Sequence, residues 1–402
     1  SPYKHHPGLV ELSTHEFLCP GFIDLHIHAP QYAYSGTATD RPLMGPSGWL
    51  ETYTFPAEQS LGDDLDKARL VYDSVVSTTL EAGTTTAVYF GTLDLEPCKV
   101  LVDSCLRQGQ RAFVGKVCMD RNSPDIYIQS TVQNVEETIA LIEHIHASTD
   151  DENDALLSLV MPIVTPRFIP TCTPSLMKQL GDVARKYNCH VQSHISESTD
   201  EVEFSRHLDA TLDGGAGRTD AEIFHSHNLL TDKTIMAHGV LLSDNCLNLL
   251  KKCGSAVAHC PLSNFYFAGN VAPLQCRRLM ERHVKVGLGT DVSGGYSPSM
   301  ANASRMAVVA SRALQNAEDI LDYRHAFYLA TLGGAGALGL QDQIGTFRVG
   351  MEFDAIVLSA SFPIQVFDTD TLQDVFQKLC TLGDDRHVKQ VYVQGRAVGK
   401  RS

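Results

Sequence analysis

Short apolar runs alternate along the chain with longer segments whose apolar residues recur at helical spacing. Several of the runs are almost continuously apolar, which is typical of parallel strands buried on both faces. Eight strands are predicted in this way, at 21–28, 84–90, 111–119, 159–166, 189–195, 234–239, 255–260 and 284–291. Eight strand-plus-helix units predict an α/β fold, a (β/α)8 TIM-type barrel. An open, doubly wound sheet is the alternative.

Two of the intervening segments carry helix boundary signals. Asn134 with Glu137 three residues later predicts an N-cap at Asn134, followed by apolar residues at helical spacing. A second helix is predicted to begin near Asp64 and to stop at Gly83.

The pattern changes after about residue 345, where short strands and turns replace the strand–helix alternation. We predict a small β appendage, a partial sandwich formed by the two chain ends. The predicted domains are an N-terminal segment at 1–19 that is a remnant of this appendage, the barrel at 20–344 and the C-terminal appendage at 345–402.

Composition narrows the function classes. The 402-residue chain is 43% hydrophobic, 20% charged and carries a net charge of -15. This charge argues against binding to nucleic acid or to an anionic membrane, and the sequence contains no apolar run of about 18 residues that would predict a membrane span. The first residues lack the apolar core of a signal peptide. Eleven scattered cysteines without C-x-x-C predict free thiols and a cytoplasmic location.

Histidines recur at the carboxyl ends of the predicted strands, where barrel active sites are built. Residues two apart on a strand share a face, so His26 and His28 can bind one ion. The pair His144 and His146 has the same spacing but lies in a predicted helix, where its members point apart. The remaining strand-end and adjacent polar or aromatic residues are Arg167, Phe168, His194, Glu197, His238, His259 and Asp291.

Three imidazoles with one carboxylate suit zinc, and iron is the alternative metal. Such an ion would acidify its bound water. Other catalytic patterns are absent or misplaced: there is no G-x-S-x-G, and "GAGALG" at 334–339 follows a helical run and not a strand.

The motifs "PGFIDLHIHAPQY", "VTPRF", "QSHISE", "MAHG", "AHCP" and "GLGTDVSGG" resemble the amidohydrolase superfamily. "TPRF", Gln31 and "FVGKVCMD" are similar to its guanine deaminase branch. The resemblance extends from about Glu11 to about Val398 and implies hydrolysis of guanine to xanthine and ammonia by a cytoplasmic homodimer with one zinc ion per chain.

The resemblance also implies site residues. The implied zinc ligands are His26, His28, His194 and Asp291. His238 would lie beside the water on the metal, and Glu197 would shuttle the proton. Asp291 would take a proton from that water. The purine would contact Gln31, Arg167, Phe168, His194, Glu197 and Asp291.

Several alternatives stay open at this point. The chain could act on another purine, a pyrimidine or a triazine, or it could be a non-catalytic scaffold. Arg167 could form a surface ion pair, Phe168 could be a core residue and Glu197 could cap the following helix. His259 is interpreted as structural or as a residue that supports the site from behind, and the loop at Gly45–Gly48 as a wall of the pocket mouth.

Overall fold

The computed structural model describes residues 9–37, 40–45, 47–149, 158–268, 273–314 and 316–399. The strands in it are β1 (Glu16–Pro20), β2 (Phe22–His28), β3 (Thr84–Phe90), β4 (Arg111–Gly115), β5 (Val117–Cys118), β6 (Val160–Pro166), β7 (His190–Ile195), β8 (Thr234–His238), β9 (Ala256–His259), β10 (Lys285–Leu288), β11 (Ala355–Ser359), β12 (Val388–Val393) and β13 (Arg396–Val398).

The α-helices are α1 (Phe55–Asp63), α2 (Leu65–Glu81), α3 (Leu95–Gln108), α4 (Thr131–Thr149), α5 (Pro174–Tyr187), α6 (Thr199–Thr211), α7 (Asp220–Ser226), α8 (Asp244–Cys253), α9 (Pro261–Phe267), α10 (Cys276–Glu281), α11 (Met300–Ser311), α12 (Tyr323–Leu329), α13 (Leu332–Ala337) and α14 (Leu372–Leu382). A π-helical turn at Leu50–Thr54 leads into α1. None of the helices among the described residues has both the length and the apolar character that a membrane crossing requires.

The main sheet is a barrel of parallel strands in the order β10-β9-β8-β7-β6-β4-β3-β2. It closes where backbone hydrogen bonds join β2 to the segment after β10: Asp291 N donates to His26 O at 2.8 Å and His28 N donates to Val292 O at 3.2 Å. At the same seam, a Cβ on Gly287 would lie 2.5 Å from Leu25 Cδ1 and 3.0 Å from the backbone Cα of Gly334, so glycine allows this close approach. The predicted (β/α)8 barrel is confirmed, and the open sheet is excluded.

The path of β2 is irregular where its histidines begin. Leu25 faces the barrel interior, so strict alternation would place Ile27 inside and both histidines outside. Instead, the pairing of β2 with β3 shifts between Asp24 and Ile27, and Ile27 packs on the outer helices. This bulge turns His26 and His28 into the barrel mouth, and bulges commonly re-aim side chains in this way.

Both chain ends build the second sheet, which is antiparallel in the order β1-β11-β12-β13. This agrees with the predicted appendage, but the sequence pattern did not predict α14. Phe376 of α14 packs on Phe17 of β1 and on Phe327 of α12, with ring centroids 5.4 and 5.3 Å apart. The appendage is also tied to the barrel by Arg111 at the start of β4, whose buried guanidinium pairs with Asp354 at 2.8 Å.

Two local predictions were wrong for identifiable reasons. The third predicted strand, 111–119, breaks into β4 and β5 at Lys116, whose buried ammonium donates to Gln129 Oε1 at 2.7 Å. Asn134 is not an N-cap, because α4 begins at Thr131. Its amide instead binds the backbone of Met119, accepting from N at 3.2 Å and donating to O at 2.9 Å.

Candidate active site

The strand-end histidines and the aspartate meet at the carboxyl-terminal mouth of the barrel. His28 Nε2 lies 3.1 Å from His194 Nε2. His26 Nε2 lies 3.1 Å from Asp291 Oδ1, and His28 Nε2 lies 3.6 Å from the same oxygen. All four side chains are buried. Residues from β2, β7 and the segment after β10 are therefore within reach of one point in space.

The donor set fits a divalent metal ion. His26 Nε2 is fully buried, and although Asp291 Oδ1 lies 3.1 Å away, none of the described residues forms a well-aligned hydrogen bond with it. Two ligands about 2.0–2.1 Å from a tetrahedral zinc would be about 3.3–3.4 Å apart, close to the spacing of the His28 and His194 nitrogens. His194 Nδ1 lies 2.6 Å from Arg167 O and donates to it, which leaves Nε2 free to bind a metal.

Burial sets the protonation states of this cluster. It lowers the pKa of His26, His28 and His194 well below the usual value, and the neighbouring imidazoles and Arg167 lower it further. The imidazoles are therefore neutral near pH 7, which is the form that binds metals. Burial also raises the pKa of Asp291, while nearby His238 and Arg167 lower it.

His238, at the end of β8, belongs to a second group that adjoins the metal cluster. Its Nε2 lies 3.6 Å from Glu197 Oε1 and 3.9 Å from Asp291 Oδ2. Its Nδ1 donates to Asn264 Oδ1 at 2.9 Å, so Nε2 of the neutral ring carries a lone pair. The amide of Asn264 reaches His259 Nδ1 at 3.3 Å. His259 thus reaches the site through Asn264, and burial lowers its pKa to about 3.

Glu197 follows β7 and turns its buried carboxyl into the pocket. Burial raises its pKa well above the usual value, and the charge of Asp291 raises it further. A protonated carboxyl near neutral pH can donate a proton. The interpretation of Glu197 as a helix cap was wrong, because Ser198 caps α6, with its Oγ accepting from Glu201 N at 3.3 Å.

Two further buried carboxyl groups hold the turn that presents Glu197. Ser196 has a φ of 48°, in the left-handed region that non-glycine residues rarely adopt. Its N donates to Asp220 Oδ2 at 2.9 Å, and the next amide, Glu197 N, donates to Glu201 Oε2 at 3.3 Å. The strained turn is therefore fixed by side chains that lie behind the pocket.

The pocket next to the cluster has apolar walls. Phe168 and Phe267 line it, together with Trp49 and Leu43 from either side of the predicted Gly45–Gly48 loop. Pro46 of that loop lies outside the described residues. The Phe168 ring stands edge-on to His194, with centroids 6.2 Å apart. A flat aromatic ligand is the kind of molecule that such walls accommodate.

Arg167 and Gln31 supply the polar part of the pocket, and a buried carboxylate holds both. Arg167 Nη1 and Nη2 donate to Glu58 Oε2 and Oε1 at 2.6 and 3.1 Å. Gln31 Nε2 donates to Glu58 Oε1 at 2.9 Å, and Gln31 Oε1 accepts from Ser293 N at 3.1 Å. Tyr127 Oη donates to Glu58 Oε2 at 2.9 Å. The ion pair is buried, so the interpretation of Arg167 as a surface residue was wrong.

The model of the amidohydrolase family matches residues 17–398, nearly the whole chain. The chain belongs to the amidohydrolase family. The guanine deaminase of Mus musculus is 43% identical over 400 residues, which cover 96% of this chain and 84% of that protein. The guanine deaminase of Dictyostelium discoideum is 42% identical over 390 residues, covering 95% and 82%.

Solved structures give the same result for the fold. The crystal structure of guanine deaminase from C. acetobutylicum with bound guanine in the active site matches with a TM-score of 0.87 at 30% identity. The match covers 99% of this chain and 90% of that chain. The barrel and the appendage of this amidohydrolase are therefore shared with it as one unit.

The structure of this amidohydrolase brings together the strand-end residues that the sequence singled out, with His259 one contact further away. Sequence reasoning missed Glu58, Tyr127 and Asn264. Glu58 is in α1 and not at a strand end, so no positional signal in the sequence distinguished it. Phe168 is buried and also lines the pocket. Its two interpretations, as a core residue and as a residue that contacts the purine, are therefore compatible.

Proposed function

We propose that this amidohydrolase converts guanine and water into xanthine and ammonia, a step of purine catabolism. The observation that carries the proposal is one pocket that brings together a cluster of possible metal ligands, a buried carboxyl group beside it and two hydrogen-bond donors, Arg167 and Gln31. Relatives above 40% identity that carry the name guanine deaminase support the same substrate.

The proposed metal is one zinc ion per chain, held by His26, His28, His194 and Asp291, with iron as the alternative. When bound, such an ion lowers the pKa of a coordinated water towards neutrality. Neutral imidazoles and a buried carboxylate are the ligands that this chemistry needs.

Glu197 is the proposed proton carrier. Water adds to C2 of the purine while Glu197, protonated because it is buried, gives its proton to ring N3. One proton of the water passes to Asp291. The deprotonated carboxylate of Glu197 then takes the proton of the new C2 hydroxyl and passes it to the amine, so that the C2–N bond breaks, C2 becomes a carbonyl and ammonia leaves. The proton on Asp291 returns to Glu197. A carboxyl whose pKa is raised towards neutrality suits both proton transfers.

His238 and Asp291 would handle the proton and the charge of the attacking water. Because Asn264 keeps the proton of neutral His238 on Nδ1, the bare Nε2 accepts a hydrogen bond from that water. His238 can donate to the oxygen that gains charge only after taking up a proton. Asp291 is the second acceptor, and its Oδ2 lies 3.9 Å from His238 Nε2.

The purine would lie against Phe168, with Arg167 and Gln31 donating to its acceptor atoms. His194, Glu197 and Asp291 also line the pocket and would contact the ring near C2. Because Glu58 occupies one N–H on each terminal nitrogen of Arg167, the donors left for the purine are Nε and the remaining N–H groups.

Ammonia release from a panel of heterocycles tests this proposal. The zinc-loaded protein is expected to release ammonia from guanine and not from adenine, cytosine or a triazine. Turnover of one of the others without turnover of guanine would assign a different heterocycle to the pocket. Zinc-loaded protein that releases no ammonia from any compound would support the non-catalytic scaffold.

Location and assembly are proposals of a different kind. All eleven cysteines are free thiols, which supports a cytoplasmic protein, since reducing compartments keep thiols free. A homodimer follows from the family resemblance only. Light scattering during gel filtration tests it, and a monomer mass at micromolar concentration would contradict it.

A further inference from the structure

Glu58 is the buried charge that the proposed reaction does not use. It lies in α1 with no exposed surface, and its two oxygens accept four hydrogen bonds, from Arg167, Gln31 and Tyr127. Buried polar groups are normally hydrogen-bonded, and here three side chains donate to one carboxylate at the back of the pocket. Its partners Arg167 and Gln31 both line the pocket, so Glu58 can act on a ligand through them.

The carboxylate fixes which atoms of Gln31 face the ligand. Glu58 Oε1 only accepts, so it must face the amide nitrogen of Gln31, while Ser293 N only donates and must face the amide oxygen. The amide therefore cannot flip. Gln31 Nε2 has a second N–H that it can offer to a ligand.

The same carboxylate fixes the guanidinium of Arg167. Two of its five N–H groups donate to Glu58, and its carbon lies 5.1 Å from the centre of the Phe55 ring. The guanidinium plane is therefore held on one side by charge and on another by an aromatic face. Arginine has no acceptor, so every group that it offers to a ligand is a donor.

We propose that Glu58 is a positioning residue that fixes a face of hydrogen-bond donors in the pocket, and that it thereby selects purines with an oxygen at ring position 6 over purines with an amino group there. This inference rests on the proposed function. Guanine presents the acceptors O6 and N7 at the edge remote from C2. A 6-amino group would point N–H bonds at Arg167 and Gln31, and buried donors that face each other are costly.

The test compares guanine with 2,6-diaminopurine, which carries the same 2-amino group but an amino group in place of O6. The substitution Glu58→Gln removes the charge and one acceptor, so Arg167 loses its charged partner and the amide of Gln31 is oriented by Ser293 N alone. We expect kcat/KM for guanine to fall by about 10- to 100-fold, the order expected for a lost charged hydrogen bond. The ratio of kcat/KM for guanine to that for 2,6-diaminopurine should fall by about 10-fold or more.

Two further variants keep the test decisive. Tyr127→Phe keeps the carboxylate and removes one of its hydrogen bonds, so the guanine-to-diaminopurine ratio of kcat/KM should fall less than in Glu58→Gln. If Glu58→Gln does not fold, the ratio measured for Tyr127→Phe tests the role of Glu58. Glu51→Gln removes an exposed carboxylate seven positions earlier and should leave the ratio unchanged. Zinc content and melting temperature are measured for each protein.

The outcomes separate this inference from the proposed function. Wild-type protein that does not act on guanine refutes the proposed function. An active wild type, with Glu58→Gln and Tyr127→Phe variants that lose activity equally on both purines, overturns the role of Glu58 in selection, because mere structural damage lowers both rates together.

Discussion

Replacing Glu197 with glutamine separates proton transfer from every other role of this side chain. The two side chains have nearly the same shape, and Glu197 is only 5% exposed, so the replacement leaves the pocket walls in place. The amide cannot give up a proton to the purine ring. Loss of a general acid–base group lowers kcat by about 10²–10⁴-fold. That corresponds to about 2.7–5.4 kcal/mol in the activation barrier, at about 1.36 kcal/mol per tenfold change.

The same variant should fold normally, for a reason that the structure supplies. Burial, and then the charge of Asp291, raise the pKa of Glu197 well above the usual value, so the folded protein favours the protonated form of this carboxyl. Glutamine reproduces the neutral form, so we expect a melting temperature close to that of the wild type. Glu203→Gln is the matched control, because it removes an exposed carboxylate six positions away and should keep full activity.

The assay is steady-state ammonia release from guanine, with zinc content measured on the same samples. The expected result is a low kcat with unchanged zinc and little change in KM. Near-normal kcat in zinc-loaded Glu197→Gln would refute the proton-transfer role. A rise in KM with kcat retained would instead show that Glu197 only binds the purine.

Further predictions concern the metal, pH and stability. His26→Ala and Asp291→Ala should each lower the zinc content measured by elemental analysis, and undiminished zinc would contradict the proposed ligand set. Burial, and then Asp220, raise the pKa of Glu201 well above 4.5. The neutral Glu201 side chain therefore contributes its full stability below pH 4.5, the ordinary pKa of glutamate. This contribution is lost as the pH rises through the higher pKa of the folded state. When the pH is raised from about 5 to about 9, the melting temperature should therefore fall less for Glu201→Gln than for the wild type. An equal fall in both proteins would argue against this. Asp354→Asn leaves the buried guanidinium with only part of its ion pair, so urea unfolding should show a loss approaching the ~3–5 kcal/mol typical of a broken buried pair; a loss below about 1 kcal/mol would show that this contact between barrel and appendage is weak.

The positions of the strand-end residues could be predicted because they follow from the local sequence pattern. A buried parallel strand is a short apolar run, and its last residue is easily located in the sequence. The prediction that His194, His238 and Asp291 lie at one mouth needed only the general geometry of a barrel. It did not need any knowledge of which side chains touch.

Other features depend on contacts between distant segments and could not be predicted in this way. Helix α14 was missed because it interrupts a region dominated by short strands, and it is held by Phe17 from the other end of the chain. The role of Asn134 depends on its contact with the backbone of Met119, and no pattern within the helix predicts this contact.

The sequence by itself determined the repeating strand–helix order and the position of the histidines and the aspartate at or near strand ends, because periodicity and spacing along the chain encode these features. The proposed ligand set came from the family resemblance. Only the tertiary structure decided that His26 and His28 face the barrel mouth, because a shift in the pairing of β2 with β3 reverses the alternation there. It also decided that Glu58 holds Arg167 and Gln31, since a buried charge is satisfied by partners far away in the sequence and no local pattern specifies them.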